Sequence, residues 1–165
     1  MEAYPNSYYL ESLERNLIQH PSLLDSYKCD LCIIGGGFTG LSTAIEAAKK
    51  GLKVVLLEQN KIAWGASGRN GGQIWPDISN GVENLEKKYD FETAKSLWDI
   101  SLEAVKLIDQ RITEFKIQCD KKIGSLSAAT NLSRVKDFES EINYFQKKLN
   151  YNSSMILNKD EVAQA

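Results

Sequence analysis

Three glycines and one acidic residue have the spacing of a dinucleotide site. Gly35, Gly37 and Gly40 form the pattern G-x-G-x-x-G, and Glu58 follows eighteen residues after the last glycine. In this pattern, the first glycine permits a tight turn, the second lets the backbone approach a pyrophosphate, and the third lets a helix pack closely on a strand. A carboxylate at Glu58 can accept hydrogen bonds from ribose hydroxyls and would repel a 2′-phosphate, which favours FAD or NAD over NADP.

The residues around these glycines predict the strand, helix and strand that such a site requires. Residues 31–34 are continuously apolar, which is typical of a parallel strand covered on both faces. A second apolar strand over 53–57 ends at Glu58. The intervening helix begins at the glycine turn, where free amides form an anion site, and Gly51 is placed to end it. Its predicted buried face is Leu41, Ala44, Ile45 and Ala48. The alternative is an ordinary strand and helix joined by a glycine-rich turn.

A second glycine-rich stretch follows at residues 64–73. It has four glycines within eight residues, which leaves the backbone bare for close approach to another molecule. Because it begins soon after Glu58, it can fold back along an extended cofactor. Ser67 and Asn70 would then offer uncharged donors, and Arg69 a cation, near a diphosphate or a polyhydroxyl chain. The alternative is a flexible surface loop.

Composition excludes several classes of function. The 165 residues are 42% hydrophobic and 25% charged with a formal charge of −2, so there is no electrostatic case for binding nucleic acid or an anionic membrane. No apolar run approaches the roughly twenty residues that span a bilayer. The polar, acidic N-terminus favours a cytoplasmic location. Three cysteines are too few for a disulfide framework, and a single histidine, His20, excludes a histidine-rich metal site.

The rest of the chain is predicted to be mostly helical. Residues 1–28 are expected to form an N-terminal arm with a short helix around Leu10 to Ile18. Beyond Pro76 the pattern predicts a short helix at 82–89, a long helix capped by Asp90, and an amphipathic helix over 135–149. Short strands are predicted at 122–130 and 155–157, and a capping box at Asn158 and Glu161 predicts a further helix start.

Only two strands of the expected parallel sheet are identified, and two strands do not make a stable open sheet. The sequence is therefore expected to be the N-terminal part of a longer enzyme. The predicted fold class is α/β, with 29–120 as the N-terminal portion of a Rossmann-like domain and 121–165 as the truncated start of a substrate-domain sheet.

The segments IIGGGFTGLSTA, VVLLE and GASGRNGGQ resemble the FAD-dependent oxidoreductases of the D-amino-acid oxidase family. Within that family the chain is most similar to the gamma-glutamylputrescine oxidoreductase group, through SYY at 7–9, FKIQCD at 115–120 and LNKDEV at 157–162. Family members are more than twice as long, and the part that carries the rest of the FAD fold and most of the substrate sheet is missing here.

The resemblance implies FAD as the cofactor and oxidation of an amine substrate by hydride transfer to the flavin. No catalytic acid or base is assigned. A separately encoded C-terminal portion is a candidate partner, and the two alternatives are a non-catalytic remnant of a split or decayed gene and an NAD-binding dehydrogenase domain. The residues expected to bind FAD are Gly35, Gly36, Gly37, Phe38, Thr39, Gly40, Glu58, Gln59, Ser67, Gly68, Arg69, Asn70, Gly71 and Gly72.

Overall fold

A computed structural model describes residues 4–12, 18–78 and 81–164. The chain divides into two compact units, Met1–Gln73 and Ile74–Ala165. The domain boundaries proposed from sequence, after residues 28 and 120, stay predictions. All of the residues predicted to bind the cofactor belong to the first unit.

The first unit contains a parallel pair of strands with one long helix between them in sequence. Strand β1 spans Leu31–Ile34, helix α2 spans Phe38–Lys49, and strand β2 spans Val54–Leu57; a short helix α1, Tyr8–Glu11, precedes them. Leu31 pairs with Val54 and Ile34 with Leu57, so the two strands run in register over their whole lengths. The amide of Gly35 donates to the carbonyl of Leu57 at 2.7 Å, which carries the pairing into the glycine turn.

Helix α2 ends as the sequence predicts. Gly51 has a φ of +82°, the left-handed conformation that favours glycine after a helix. Leu41, Ala44 and Ile45 are half-buried, but the fully buried alanine is Ala47, and the predicted Ala48 is exposed. Three of the four predicted positions are therefore on the packed side of α2, and Ala47 takes the place predicted for Ala48.

The prediction that β1 is covered on both faces is wrong for the described structure. Burial alternates along the strand, with Cys32 exposed and Ile34 89% exposed. Helix α2 packs on the face that carries Ile33, whose Cγ2 lies 3.4 Å from where a Cβ on Gly40 would be.

Four helices lie among the described residues of the second unit. These are α3 (Val82–Lys88), α4 (Phe91–Glu114), α5 (Leu132–Leu149) and α6 (Lys159–Val162). The predicted cap of α4 is confirmed, because the Asp90 carboxylate accepts from the Thr93 amide at 2.7 Å. The predicted capping box is also confirmed: Asn158 accepts from the Glu161 amide while the Glu161 carboxylate accepts from the amide of Asn158. Local side-chain chemistry therefore sets these helix starts.

Trp98 on α4 is the centre of the core in the second unit. It is 1% exposed and lies in a cluster with the buried residues Val82, Ala94 and Leu149. Its ring stacks on Phe145 at a centroid distance of 5.1 Å and meets Tyr151 edge-on at 5.4 Å. These rings join α5 and the residue that follows its cap to the long helix.

Two predicted strands do not form. Residues 122–129 have no regular secondary structure and are exposed, and 155–157 also lack a strand. The described residues offer neither segment a neighbouring strand, and an unpaired strand leaves its backbone groups without partners. The helix expected around Leu10 to Ile18 is observed only as α1, and residues 13–17 lie outside the described part. Within the described chain, no helix has both the length and the apolar character to cross a bilayer.

Candidate functional site

The glycine turn between β1 and α2 has a geometry that only glycine fits at two positions. Gly35 has a φ of +104°, a backbone conformation that L side chains rarely adopt. A Cβ on Gly40 would lie 1.9 Å from the carbonyl oxygen of Gly35, which is far inside contact distance. The first and third glycines therefore serve the turn and the close approach of α2, as the sequence pattern predicts.

Glu58, at the end of β2, is bound to the glycine turn. Its Oε2 accepts from the amide of Gly36 at 2.7 Å, and its Oε1 accepts from the amide of Asn60 at 2.9 Å. The hydrogen bond from Asn60, followed by that from Gly36, lowers the pKa of the Glu58 carboxyl against the opposing effect of burial. The carboxylate therefore stays charged at neutral pH beside the first glycine turn.

This lowered pKa predicts a specific dependence of stability on pH. Because the folded pKa lies below the usual value of 4.5, the contribution of Glu58 is present above that value and is lost as pH falls through the folded pKa. We expect Glu58→Gln to lower the free energy of unfolding by about 1 kcal/mol at neutral pH, where partial exposure limits the effect. The difference from wild type should vanish in acid.

Urea denaturation of both proteins from neutral pH down to about pH 3 measures this difference. Glu139→Gln, at an exposed position of α5, is the matched control and should leave the curve unchanged. A Glu58→Gln deficit that persists in acid would show that the charge of the carboxylate is not the cause.

The second glycine-rich stretch is tied to the first by two hydrogen bonds. The Ala63 amide donates to the carbonyl of Gly36 at 2.9 Å, and the Phe38 amide donates to Ser67 Oγ at 3.0 Å. Ser67 therefore caps helix α2, whose own N-cap, Gly37, has no side chain for this purpose. The position predicted for Ser67, beside an anion site at the helix N-terminus, is consistent with this bond.

Within the second loop, several donors are used locally. Residues 66–68 form one 3₁₀ turn, and a Cβ on Gly68 would lie 2.2 Å from the carbonyl oxygen of Ala63. Arg69 Nε donates to the carbonyl of Gly65 at 3.3 Å, and its guanidinium lies 4.9 Å from the ring centre of Trp64. Asn70 Nδ2 donates to the carbonyl of Ser67 at 3.0 Å, and Asn70 Oδ1 accepts from Gly72. The loop therefore uses much of its own polar chemistry in bonds within itself.

The structure brings most of the predicted site residues together and leaves some at the surface. Gly36 is buried, while Phe38, Thr39, Gln59 and Gly71 are exposed. Ile62 and Ala63, which no sequence motif marks, join the two glycine-rich segments; Ile62 Cδ1 would lie 2.7 Å from a Cβ on Gly36. Tyr4 is likewise unmarked in the sequence, and its hydroxyl donates to the carbonyl of Ile62 at 2.8 Å. No local pattern identifies contacts between residues so far apart in sequence.

A parallel strand pair with a glycine turn, a helix starting at that turn and a bound terminal acid defines a nucleotide-binding unit of the Rossmann kind. The chain belongs to the DAO family of FAD dependent oxidoreductases, which it matches over residues 30–165. Members of this family use FAD. The family and the cofactor that the sequence motifs predict are therefore confirmed.

Individual relatives agree with this membership. The chain is 36% identical over 163 residues to the probable oxidoreductase OrdL of Haemophilus influenzae and 38% identical over 141 residues to gamma-glutamylputrescine oxidoreductase of Escherichia coli. These alignments cover 99% and 86% of this chain but only 38% and 33% of the relatives. One subunit of the anaerobic glycerol-3-phosphate dehydrogenase of Escherichia coli is 52% identical over 62 residues, which are 38% of this chain and 11% of that protein. No solved structure matches the chain significantly.

The residues present fit an FAD diphosphate. The bare backbone at Gly35 and Gly37 leads into the first turn of α2, where the amides of Thr39 and Gly40 have no intrahelical acceptor. Ser67 Oγ borders the space beside Gly37, since it would lie 2.8 Å from a Cβ at that position. A hydroxyl that accepts from the Phe38 amide still has a proton to donate to a phosphate oxygen. On the ribose side, the Glu58 carboxylate would be the acceptor.

Proposed function

We propose that this chain is the FAD-binding part of an amine oxidoreductase of the gamma-glutamylputrescine oxidoreductase type. The observation that carries the proposal is the joined pair of glycine-rich segments, with Ser67 Oγ 3.0 Å from the first amide of α2 and Glu58 bonded to Gly36. The identity to the Escherichia coli oxidoreductase supports the choice of substrate class.

In this proposal the first segment holds the adenosine diphosphate half of FAD. The amides of Thr39 and Gly40 and the positive end of the α2 dipole bind the pyrophosphate. The Glu58 carboxylate exchanges its bond with the Gly36 amide, wholly or in part, for bonds from the ribose hydroxyls. The loop Ser67–Gly72 runs along the ribityl chain toward the flavin ring, where the backbone of Gly71 and Gly72 permits close approach.

Bound FAD supplies the acceptor for a hydride from the carbon that carries the amine. The contribution of the described residues is to hold the cofactor's phosphates and ribose in a fixed place and orientation. Ser67 both caps α2 and bounds the phosphate site, so a single side chain links the diphosphate position to the second loop. No catalytic acid or base is assigned among the described residues.

Completion of the active enzyme requires the remainder of the family fold. We propose a D-amino-acid oxidase type of FAD domain in which residues 121–165 open the substrate domain and a C-terminal portion, which can be separately encoded, acts as partner. The amides of Leu31 and Gly35 donate toward β2. Backbone groups alternate in direction along a strand, so those of Cys32 and Ile34 face the opposite edge, where no strand lies among the described residues. That edge and the exposed Ile34 beside it support the addition of a further strand.

Anaerobic spectroscopy of a reconstituted mixture tests this function. The chain with FAD is mixed with a polypeptide that contains the part of the Escherichia coli relative beyond the aligned region, and gamma-glutamylputrescine is then added. Loss of the visible flavin band, and its return with oxygen, is the expected result. A flavin that stays oxidised while bound would support a non-catalytic remnant instead, and binding of NAD in preference to FAD would support a dehydrogenase domain.

A further inference from the structure

Within the described part of the N-terminal arm, the side chain of Tyr4 is hydrogen-bonded to a residue beside the cofactor site. The Tyr4 hydroxyl donates to the carbonyl of Ile62 at 2.8 Å, across 58 positions in sequence. Its ring lies 5.0 Å from Lys61 Nζ, on the residue before Ile62. The arm is therefore attached to the segment that leads from Glu58 into the second glycine-rich loop.

The segment held by Tyr4 is the one that joins the two halves of the proposed site. Ile62 packs against Gly36, and the next residue, Ala63, donates its amide to the Gly36 carbonyl at 2.9 Å. Ala63 has a φ of +59°, a conformation that is uncommon for alanine and needs support from its surroundings. The bond from Tyr4 acts on the carbonyl immediately before this strained residue.

Tyr4 also lies close enough to Glu58 for the charge of the Glu58 carboxylate to act on its hydroxyl. Burial, followed by the nearby Glu58 carboxylate, raises the pKa of the Tyr4 hydroxyl, so it remains a donor through neutral pH. Gly36, which Ile62 packs against, also donates its amide to Glu58. A displaced Ile62 would therefore disturb both the acid and the entry to the second loop.

We propose that Tyr4 is a positioning residue for the adenosine side of the FAD site. By fixing the Ile62 carbonyl, Tyr4 holds Ala63 in the conformation that ties the second loop to the glycine turn, without itself contacting FAD. This inference rests on the proposed binding of FAD. It predicts that removal of one hydroxyl at the N-terminal arm weakens binding at residues more than thirty positions away.

Tyr4→Phe tests the proposal, because it removes the donor and keeps the ring. We expect the Kd for FAD to rise about 3- to 10-fold, the effect of losing one hydrogen bond. Amide hydrogen exchange over residues 61–68 should become faster in the same variant. Tyr8→Phe is the matched control, since Tyr8 is 76% exposed, and it should change neither value.

Both measurements are made where circular dichroism shows every variant to be folded, so a lower melting temperature alone does not alter them. Wild-type protein that fails to bind FAD would contradict the proposed function. The amide exchange rates of residues 61–68 would still show whether Tyr4 holds this segment in place. Wild-type binding with Tyr4→Phe equal to wild type in both Kd and exchange would overturn the role of Tyr4. A weaker Kd with unchanged exchange would also overturn it, because Tyr4 would then act by direct contact.

Discussion

Gly40→Ala is expected to abolish FAD binding and to lower the free energy of unfolding by about 3 kcal/mol, as severe overpacking does. The reason is that the new Cβ would lie 1.9 Å from the carbonyl oxygen of Gly35 and 3.1 Å from its carbonyl carbon. Both are backbone atoms of the turn that holds β1 to α2, so they cannot move away as a flexible side chain would. Relieving this clash requires α2 to move away from β1. That movement would carry the first-turn amides of α2 away from the diphosphate position.

Urea denaturation gives the stability of this variant, and titration with FAD gives its binding. Gly65→Ala is the stability control, because no described atom lies within 4 Å of its Cβ and its φ is −77°. That variant should remain within about 0.5 kcal/mol of wild type. Wild-type stability in Gly40→Ala would mean that α2 does not lie as close to the turn as the structure places it.

Gly37→Val is expected to remove FAD binding while the protein stays folded. A Cβ at Gly37 meets only Ser67 Oγ at 2.8 Å and Ser67 Cβ at 3.7 Å, and the serine hydroxyl can rotate away. The branched side chain would then fill the approach of the pyrophosphate to the backbone. We expect an affinity loss of at least about 100-fold, the size of effect that follows from losing several phosphate contacts at once.

The comparison of Gly37→Val with Gly40→Ala separates loss of the site from loss of the fold. Fluorescence titration with FAD and thermal denaturation of each variant provide the two values. Thr43→Val introduces a branched apolar side chain at an exposed position of α2, away from the turn, and should bind FAD like wild type. Unchanged affinity in Gly37→Val would show that the glycine turn is not where the phosphates bind.

Local signals in the sequence predict the elements that local chemistry determines. Gly51 is left-handed after α2, and Asp90 caps α4, because each depends on a few adjacent backbone groups. The G-x-G-x-x-G spacing predicts the strand, turn and helix for the same reason. Gly35 and Gly40 are recognisable from sequence because the turn and the close helix contact exclude any side chain at these two positions.

Sequence patterns fail where the outcome depends on distant partners. Residues 122–130 have strand-like composition, but a strand needs a paired neighbour, and the described chain provides none there. The apolar run of β1 predicts cover on both faces, whereas Ile34 is 89% exposed in the described structure. The bonds from Tyr4 to Ile62 and from Ala63 to Gly36 join residues far apart, so no spacing rule identifies them.

Glu58 is a residue whose position the sequence predicts only in part. The spacing from Gly40 marks it as an acid for a ribose, but it does not show that the carboxylate binds the Gly36 and Asn60 amides. These bonds make Glu58 a structural member of the turn as well as a candidate cofactor ligand. A substitution there therefore affects stability and binding together, whereas Gly37→Val is expected to act mainly on binding and to cost stability only through the bond between Ser67 and the Phe38 amide.

The most direct test of the central claim is titration of the purified chain with FAD, with NAD and NADP titrated in parallel. We predict that the protein binds FAD at a ratio of one to one, keeps the visible flavin band after desalting, and melts at a higher temperature with FAD. NADP should have no effect, because Glu58 repels its 2′-phosphate. A protein that is folded, remains colourless after FAD is added and desalted, and shows no thermal shift would contradict the assignment of these glycine-rich segments as an FAD site.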